Sequence, residues 1–279
     1  MNIVSTVSDV RKIVKGYRDE GLSVGLVPTM GYLHEGHKSL IEKSVQENDK
    51  TVVSVFVNPI QFGPGEDLAT YPRDLDRDAK LCEQTGADLI FHPEKEDMYE
   101  DDFCTYIDMD AVTKNLCGKT RPTHFRGVCT VVGKLFNIVK PDRAYFGMKD
   151  AQQLAVIRRM VRDLNFDLEI VGCPIIRESD GLAKSSRNTY LSPDDRKAAT
   201  ILSKALNEGK ALIEAGEKNA KTVTDAITKK IESEPLARID YVEAVNFDSI
   251  EPVEKIEEHT LIAIAVYIGT TRLIDNMEV

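Results

Sequence analysis

The chain has 279 residues, of which 42% are hydrophobic and 29% charged, a composition ordinary for one or two globular domains. Its formal net charge of -10 argues against non-specific binding to nucleic acid or anionic membranes, which depends on a basic surface. No apolar run approaches the roughly 20 residues of a membrane helix, and the first residues lack a signal-peptide pattern, so we expect a cytoplasmic protein.

Apolar runs typical of buried strands alternate with helical patterns through the first two-thirds of the chain. We predict strands at Ser23–Val27, Val52–Val57, Asp88–Phe91, Ala144–Phe146 and Leu168–Val171, and helices at 38–46, 73–85, 124–139 and 150–164. This alternation indicates an α/β fold with a doubly wound parallel sheet, which is Rossmann-like. Such sheets bind ligands beyond the carboxyl ends of their strands.

The composition changes after about residue 176. Ser192 followed by Pro193 and two acidic residues predicts the start of a helix, with the serine as N-cap. Further predicted elements are a helix from this point to about Ala215, a helix at 220–232, and two closing strands at 239–247 and 261–268. We therefore predict two domains, a Rossmann-like nucleotide-binding domain over 1–176 and a small α+β domain over 177–279.

The most informative segment is Pro28–His37, which joins the first predicted strand to the first predicted helix. It places His34 and His37 three residues apart, so both lie on one helical face. Since a helix N-terminus attracts anions, imidazoles at this point suit a phosphate that gains charge during reaction. We prefer this nucleotide site over a role in capping, and over a metal site, because the spacing is not that of the helical zinc motif.

Three other polar segments also follow predicted strands, and we expect all four to converge at one edge of the sheet. In Asn58–Asp67, side-chain amides could satisfy the turn or recognise hydroxyl and carboxylate groups, because they supply both donor and acceptor. In Gly147–Gln153, a lysine and an aspartate could form a surface pair, or contact phosphate and ribose or a metal. In Gly181–Asn188, two cations and two hydroxyls could clamp a triphosphate.

Other conspicuous residues are assigned to structure. The number of cysteines is five, and no C-x-x-C spacing occurs, so we predict reduced thiols rather than disulfides, a zinc site or a nucleophile. Arg126 could hold an anion or cap the helix predicted at 124–139. The apolar stripe at 128–139 is predicted to be core.

Four segments of the chain resemble the pantothenate synthetase (pantoate–β-alanine ligase) family. They are Pro28–His37, Phe56–Arg73, His124–Gln153 and Arg177–Leu191. The two-histidine motif and Lys184-Ser185-Ser186 by themselves indicate only the wider HIGH-motif nucleotidyltransferase superfamily. The stretches typical of the family itself are Phe56–Phe62, Tyr71–Arg73, Gly147–Gln153 and Ser185–Asn188. The last hundred residues carry little family signature.

The resemblance implies ATP-dependent condensation of D-pantoate with β-alanine to pantothenate, in pantothenate and coenzyme A biosynthesis. Pantoate first forms pantoyl adenylate and pyrophosphate, and the amine of β-alanine then displaces AMP. The resemblance also implies Mg²⁺ as cofactor, ATP as co-substrate and a homodimer, with no nucleic-acid or membrane partner. The small domain is expected to act as a lid, because the segment Lys184–Arg187 lies beside the predicted hinge.

The resemblance also implies the site residues. The catalytic residues are His37, His34 and Lys149, with His37 preferred as proton donor. The ATP site comprises Met30, Gly31, His34, Gly36, His37, Gly147, Lys149, Asp150, Ile176, Lys184, Ser185, Ser186 and Arg187. The pantoate and β-alanine site comprises Gln61, Gln153, Asn58 and Tyr71. Asp78 is a candidate ligand of Mg²⁺.

Three alternatives stay open at the level of the sequence. A nucleotidyltransferase that transfers AMP or CMP to a phosphorylated cofactor precursor would share the histidine motif, but not need the amide-rich segments. A tRNA-charging enzyme is disfavoured by the acidic charge and the small C-terminal domain. A catalytically inactive nucleotide-binding regulator would release no pyrophosphate.

Overall fold

The computed structural model describes all residues from Met1 to Val279, and they cluster into two compact units. The first unit comprises Met1–Asp110, Arg121–Met148 and Val156–Pro174. The second unit comprises Ala111–Thr120, Lys149–Ala155 and Ile175–Val279. The division into domains 1–176 and 177–279 stays a prediction. No helix has both the length and the apolar character needed to cross a bilayer.

A six-stranded sheet forms the centre of the first unit. Its strands are β1 Asn2–Val4, β2 Val24–Thr29, β3 Lys50–Val55, β4 Leu89–Phe91, β5 Arg143–Gly147 and β6 Glu169–Cys173. Helices before β6 are α1 Val7–Asp19, α2 Glu35–Glu47, α3 Leu75–Thr85, α4 Lys95–Met98, α5 Leu116–Thr120, α6 His124–Val139 and α7 Ala151–Asp163. Of these, α5 and the first residues of α7 belong to the second unit.

Every pairing in this sheet is parallel, and the strand order is β1-β4-β3-β2-β5-β6. From β2 the chain proceeds to β3 and β4 on one side, and later to β5 and β6 on the other side. The prediction of a doubly wound parallel sheet is thus confirmed. The change of direction falls between β2 and β5, which is where such sheets open a crevice for a ligand beyond their carboxyl ends.

The core of this unit follows from the apolar strands. Val27 of β2, Val53 of β3 and Ile90 of β4 are fully buried and pack with Ile41 of α2 in one cluster. Helix α6 is buried along nearly its whole length, which confirms the core prediction for 128–139. Strand β1 was not predicted, because it is only three residues long and carries the exposed Ile3. Helix α1, which follows it, was also not predicted.

The second unit is an α+β arrangement. Its other elements are α8 Pro193–Ala198, α9 Ile201–Glu214, α10 Ala220–Glu232, β7 Ala237–Asn246, β8 Thr260–Ile268 and β9 Thr271–Glu278. The strands form an antiparallel sheet in the order β7-β8-β9. Ser192 caps α8 as predicted, because its Oγ accepts a hydrogen bond from the N–H of Asp195 (3.2 Å).

Two predictions for this unit were wrong. The helix predicted up to Ala215 is two helices, and the hydroxyl of Thr200 donates to the carbonyl of Lys197 (2.8 Å) at the break. A threonine hydroxyl that binds a nearby carbonyl competes with the helical backbone. The final strand β9 was missed because the buried Asp275 and Asn276 interrupt its apolar alternation.

Candidate active site

His34 and His37 lie at the start of α2, directly beyond the carboxyl end of β2. The N–H of Gly36 donates to Nδ1 of His34 (3.1 Å), and the N–H of His34 donates to Nδ1 of His37 (3.3 Å). The ring centroids are 4.1 Å apart. Because each Nδ1 accepts a hydrogen bond, each neutral ring carries its proton on Nε2. The pair therefore caps the helix and also supplies two ring donors where the helix attracts anions.

The loop before the histidines has an unusual backbone that a buried carboxylate holds. Gly31 and Tyr32 adopt left-handed φ angles of 82° and 52°. The carboxylate of Asp78, in α3, accepts hydrogen bonds from the N–H groups of Tyr32 (2.8 Å) and Leu33 (2.7 Å). A Cβ at Gly31 would lie 2.9 Å from Cγ1 of Val55 and 3.0 Å from Oδ2 of Asp78. The loop thus requires glycine at this position.

Asp78 was predicted to bind Mg²⁺, and its surroundings give it a structural task. Burial raises the pKa of Asp78, against the two backbone hydrogen bonds that lower it. The chain contains no group of three or more His, Cys, Asp or Glu side chains arranged to hold a metal ion. Mg²⁺ that binds with ATP needs only one or two protein carboxylates. Both carboxylate oxygens of Asp78 already accept backbone N–H groups, so an ion bound there would compete with these hydrogen bonds. The role of Asp78 as a Mg²⁺ ligand stays a prediction.

Beyond β3, the chain forms a short 3-10 helix, Pro59–Gln61, that lies against α6. The approach is close at Gly127 of α6, where a Cβ would lie 2.5 Å from Cα of Gln61 and 2.5 Å from the carbonyl oxygen of Ile60. Only glycine allows the helix to pass so near this backbone. The position of Gln61 therefore depends on a residue of α6.

The side chains of Asn58 and Gln61 are connected by hydrogen bonds. Nδ2 of Asn58 donates to Oε1 of Gln61 (3.0 Å) and to the carbonyl of Gly127 (3.1 Å). The hydroxyl of Tyr99 donates to Oδ1 of Asn58 (2.8 Å). Nε2 of Gln61 in turn lies 3.2 Å from Sδ of Met30. Three predicted site residues, Met30, Asn58 and Gln61, are thus brought together.

The loop after this turn is held by stacking and by an ion pair. Tyr71 is buried and packs edge-to-face against Phe62, with ring centroids 6.0 Å apart. The guanidinium of Arg121 binds both carboxylate oxygens of Glu66, at 2.7 and 2.5 Å. Burial by itself would raise the pKa of Glu66, but Arg121 outweighs it and the pKa is lowered. Tyr71 and Asn58 both belong to the first unit.

Two side chains at the start of α6 turn to neighbouring residues. Nδ1 of His124 lies 3.0 Å from the carbonyl oxygen of Gln61. The guanidinium of Arg126 lies over the ring of Tyr106, 4.1 Å from its centroid. The sequence left anion binding and helix capping as alternatives for Arg126. The structure shows a third interaction of this side chain, a cation–π contact with Tyr106.

Predicted residues of the second unit lie in two segments. In the first segment, the carbonyl of Lys149 accepts a hydrogen bond from Nδ2 of Asn276 (2.9 Å). The two adjacent glutamines differ, because Gln152 is buried and its Nε2 donates to the carbonyls of Val112 (3.0 Å) and Asn115 (2.9 Å). Gln153 is only half-buried. This contrast favours Gln153 as the residue available to a substrate.

In the second segment, backbone hydrogen bonds fix the chain around the predicted clamp. The N–H of Lys184 donates to the carbonyl of Ile176 (2.9 Å). Ser185 caps the 3-10 helix Ser186–Tyr190, and its Oγ accepts from the N–H of Arg187 (3.3 Å). The main-chain positions of the two predicted cations are therefore well defined.

Salt bridges surround this segment. Arg177 forms two hydrogen bonds with the buried carboxylate of Asp275, at 2.6 and 2.9 Å. Arg196 binds Glu178 (2.8 Å) and Asp180 (2.8 Å), and its hydrogen bond lowers the pKa of Asp180. These pairs neutralise the acidic residues of the segment.

The predicted site residues divide between the units. Those in the first unit are Met30, Gly31, His34, Gly36, His37, Asn58, Gln61, Tyr71, Asp78 and Gly147. Those in the second unit are Lys149, Asp150, Gln153, Ile176, Lys184, Ser185, Ser186 and Arg187. Sequence reasoning missed Tyr99 and Gly127, which hold the amides of the first unit. A glycine inside an apolar helix was a signal for Gly127, whereas Tyr99 follows a short acidic stretch without a pattern.

The cysteines carry no disulfide, and burial makes the thiols of three of them poor nucleophiles. Of the five, only Cys104 is exposed. Burial raises the pKa of Cys82 and of Cys129 to about 12, and that of Cys173 to about 11. Because the thiolate is the reactive form, these residues agree with the structural role predicted for them.

Comparison with known proteins identifies the family. A family model described as pantoate–β-alanine ligase matches residues 2–278. Pantothenate synthetase from Clostridium acetobutylicum is 64% identical over 276 residues, which cover 99% of this chain and 98% of that protein. The chain belongs to the pantoate–β-alanine ligase family. This membership confirms the resemblance seen in the sequence, and it favours a ligase over a nucleotidyltransferase or a tRNA-charging enzyme.

Solved structures of this ligase family agree with the fold. Pantothenate synthetase from Thermus thermophilus superposes with a TM-score of 0.94 at 45% identity, covering 100% of this chain and 99% of that one. The ligase from Francisella tularensis superposes with a TM-score of 0.83 at 34% identity, covering 100% and 97%. That protein was crystallised in complex with beta-gamma ATP and beta-alanine.

Proposed function

We infer that this chain condenses D-pantoate with β-alanine to pantothenate at the expense of ATP, as a ligase of pantothenate and coenzyme A biosynthesis. The observation that carries this function is the family match over residues 2–278. An inactive regulator is disfavoured because the histidine pair and the lysines of both polar segments are all present.

In the first step, an oxygen of the pantoate carboxylate attacks the α-phosphorus of ATP, and the bond from that phosphorus to pyrophosphate breaks. Such a transfer depends mainly on positioning and on stabilisation of charge. We propose that Nε2–H of His34 and of His37 donates to the α-phosphoryl oxygens, with His37 as the preferred proton donor. The support is that Nδ1 of each ring already accepts a backbone N–H.

Cations of the second unit are proposed to neutralise the departing pyrophosphate. They are Lys149, Lys184 and Arg187, with the hydroxyls of Ser185 and Ser186 as further donors. Ammonium and guanidinium groups form charge-assisted hydrogen bonds with phosphate oxygens, which are about twice as strong as neutral ones. The remaining residues assigned to ATP are Met30, Gly31, Gly36, Gly147, Asp150 and Ile176.

We propose that pantoate binds the two glutamines Gln61 and Gln153, that Asn58 and Tyr71 also contribute to the substrate site, and that β-alanine binds near Gln61. In the second step, the free amine of β-alanine attacks the acyl carbon of pantoyl adenylate. A C–N bond forms, the C–O bond to AMP breaks, AMP leaves with the electron pair, and the nitrogen loses a proton. Amide side chains suit this substrate because its hydroxyls and carboxylate need donors and acceptors together.

Mg²⁺ is proposed to accompany ATP and, when bound, to supply positive charge at the phosphates, with Asp78 or Asp150 as the candidate protein carboxylates. We also propose a cytoplasmic homodimer without nucleic-acid or membrane partners. The movement of the segment around Lys184 as a lid belongs to the same proposal.

Pyrophosphate release from ATP and Mg²⁺ tests the function directly. With D-pantoate alone, we expect pyrophosphate and an enzyme-held adenylate. With D-pantoate and β-alanine together, AMP and pantothenate should accumulate over many turnovers. A protein that binds ATP but releases no pyrophosphate with D-pantoate would contradict the proposed function.

A further inference from the structure

A buried chain of hydrogen bonds in the first unit ends at Gln61, the residue assigned above to pantoate. It begins at the hydroxyl of Tyr99, which donates to Oδ1 of Asn58 (2.8 Å). Nδ2 of Asn58 donates to Oε1 of Gln61 (3.0 Å) and to the carbonyl of Gly127 (3.1 Å). Tyr99 is 6% exposed and Asn58 is 1% exposed, so water does not compete for these bonds.

The partners fix the direction of each amide. A backbone carbonyl can only accept, so Gly127 requires the NH₂ group of Asn58 to face it, which leaves Oδ1 toward Tyr99. Burial raises the pKa of Tyr99 far above its ordinary value, so its hydroxyl keeps the proton that it donates. The second N–H of Asn58 then faces Gln61, which must offer its oxygen.

This direction decides what Gln61 presents to a ligand. With Oε1 bound to Asn58, the side chain presents its NH₂ group, and Nε2 lies 3.2 Å from Sδ of Met30. A thioether sulfur is a weak acceptor. A carboxylate or hydroxyl oxygen accepts more strongly, so a substrate oxygen that replaces this sulfur gains a hydrogen bond and forfeits little.

We propose that Tyr99 is a positioning residue for pantoate, because through Asn58 it keeps the N–H donors of Gln61 directed toward a substrate oxygen. The inference rests on the proposed assignment of Gln61 to pantoate. Without the hydroxyl, Oδ1 of Asn58 loses its donor, and beside Gln61 only the carbonyl of Gly127 still anchors the Asn58 amide. Asn58 can then shift, Oε1 of Gln61 is held less firmly, and the N–H donors of Gln61 are aimed less well at the substrate oxygen.

The first test is Tyr99→Phe, assayed by D-pantoate-dependent pyrophosphate release. The KM for pantoate should rise about three- to tenfold, the range expected for one hydrogen bond, and the KM for ATP should stay unchanged. Tyr145→Phe is the matched control, because that hydroxyl also bonds with an asparagine, Asn48 (2.7 Å), and with Glu47 (3.0 Å). The control should lose stability but keep the KM for pantoate.

A double-mutant cycle separates positioning from a general structural effect. In a Gln61→Ala background, Tyr99→Phe should change the KM for pantoate by less than about twofold, because the residue through which it acts is gone. Gln61→Glu, which keeps an acceptor for Asn58 but has no donor, should raise the KM for pantoate even where Tyr99→Phe fails to fold.

Three results would overturn the inference. They are an unchanged KM for pantoate in Tyr99→Phe, an equal effect in both backgrounds, and an unchanged KM in Gln61→Glu. Failure of the proposed function has a different signature, because wild-type protein would then release no pyrophosphate with D-pantoate.

Discussion

The histidine segment of the first unit and the Lys184–Arg187 segment of the second unit hold their polar groups by different means. In the first, the buried carboxylate of Asp78 and backbone N–H groups fix the loop and the tautomers of both rings. In the second, backbone hydrogen bonds fix the main chain, and the polar groups are the charged ends of Lys184 and Arg187 together with two serine hydroxyls. Hydrogen-bond donors act along one direction, whereas a charge acts in all directions. We infer that the histidine segment contributes oriented hydrogen-bond donors, whereas the Lys184–Arg187 segment contributes mainly positive charge.

The largest effect is expected from His37→Ala. Removal of a donor aimed at transition-state charge costs about 10²- to 10³-fold in kcat, so pantoate-dependent pyrophosphate release should fall by that factor. The KM for ATP should change much less, because the donor acts mainly on charge that develops during reaction. His259→Ala, at an exposed histidine paired with Glu278 (3.2 Å), is the control. A rise in the KM for ATP as large as the loss in kcat would show that the ring only binds substrate.

The second effect tests whether Lys184 acts through its charge. Lys184→Gln should lower kcat/KM for ATP about 10- to 100-fold, as expected for a charged hydrogen bond. Lys184→Arg should recover most of this loss, since the charge is retained. Steady-state kinetics with varied ATP measures both. If Lys184→Arg loses as much kcat/KM as Lys184→Gln, the geometry of the side chain matters more than its charge. The contrast between the two units would then be wrong.

Adjacent glutamines provide a third, smaller test. Gln153→Ala should raise the KM for pantoate about tenfold through loss of hydrogen bonds, with the unfolding temperature nearly unchanged. Gln152→Ala should lower the free energy of unfolding by about 2–3 kcal/mol, because buried carbonyls lose their donor. Thermal unfolding and pantoate kinetics of both variants distinguish these roles. The reverse pattern would exchange the two assignments.

The smallest effect is a change in stability, and it concerns the ion pair of Glu66 with Arg121 in the first unit. The lowered pKa of Glu66 means that its ionised form stabilises the fold above the unfolded-state pKa of about 4.3. This stability is lost as the pH falls through the lower folded-state pKa. Glu66→Gln should thus cost about 1 kcal/mol at pH 7 and less at pH 3. An equal difference from wild type at both pH values, in chemical unfolding, would contradict the ionic account.

The sequence predicted the central sheet because β2 to β5 are apolar runs that are largely buried, and because the edge strand β6 still carries an apolar run. It did not predict β1, whose three residues give no pattern, or β9, where Asp275 and Asn276 are buried. Asp275 binds Arg177, and Asn276 binds the carbonyl of Lys149. Buried polar residues with partners far away in the chain thus interrupt the apolar alternation by which a strand is predicted.

The same limit applies to the site. The histidine motif was visible because its residues are neighbours in the chain. Tyr99 contacts Asn58 across 41 positions, and Gly127 contacts it across 69. Local spacing also could not decide which of Gln152 and Gln153 is buried, because only the tertiary contacts of the helix do so.

Asp78 has a consequence for how the enzyme is made. Tyr32 and Leu33 are synthesised 46 and 45 residues before the carboxylate that accepts their N–H groups. A nascent chain that ends before α3 already contains both histidines, but the N–H groups of Tyr32 and Leu33 in front of them do not yet have their acceptor. The histidine motif is therefore synthesised well before its loop can adopt the native conformation, because that conformation depends on Asp78 of the later helix α3.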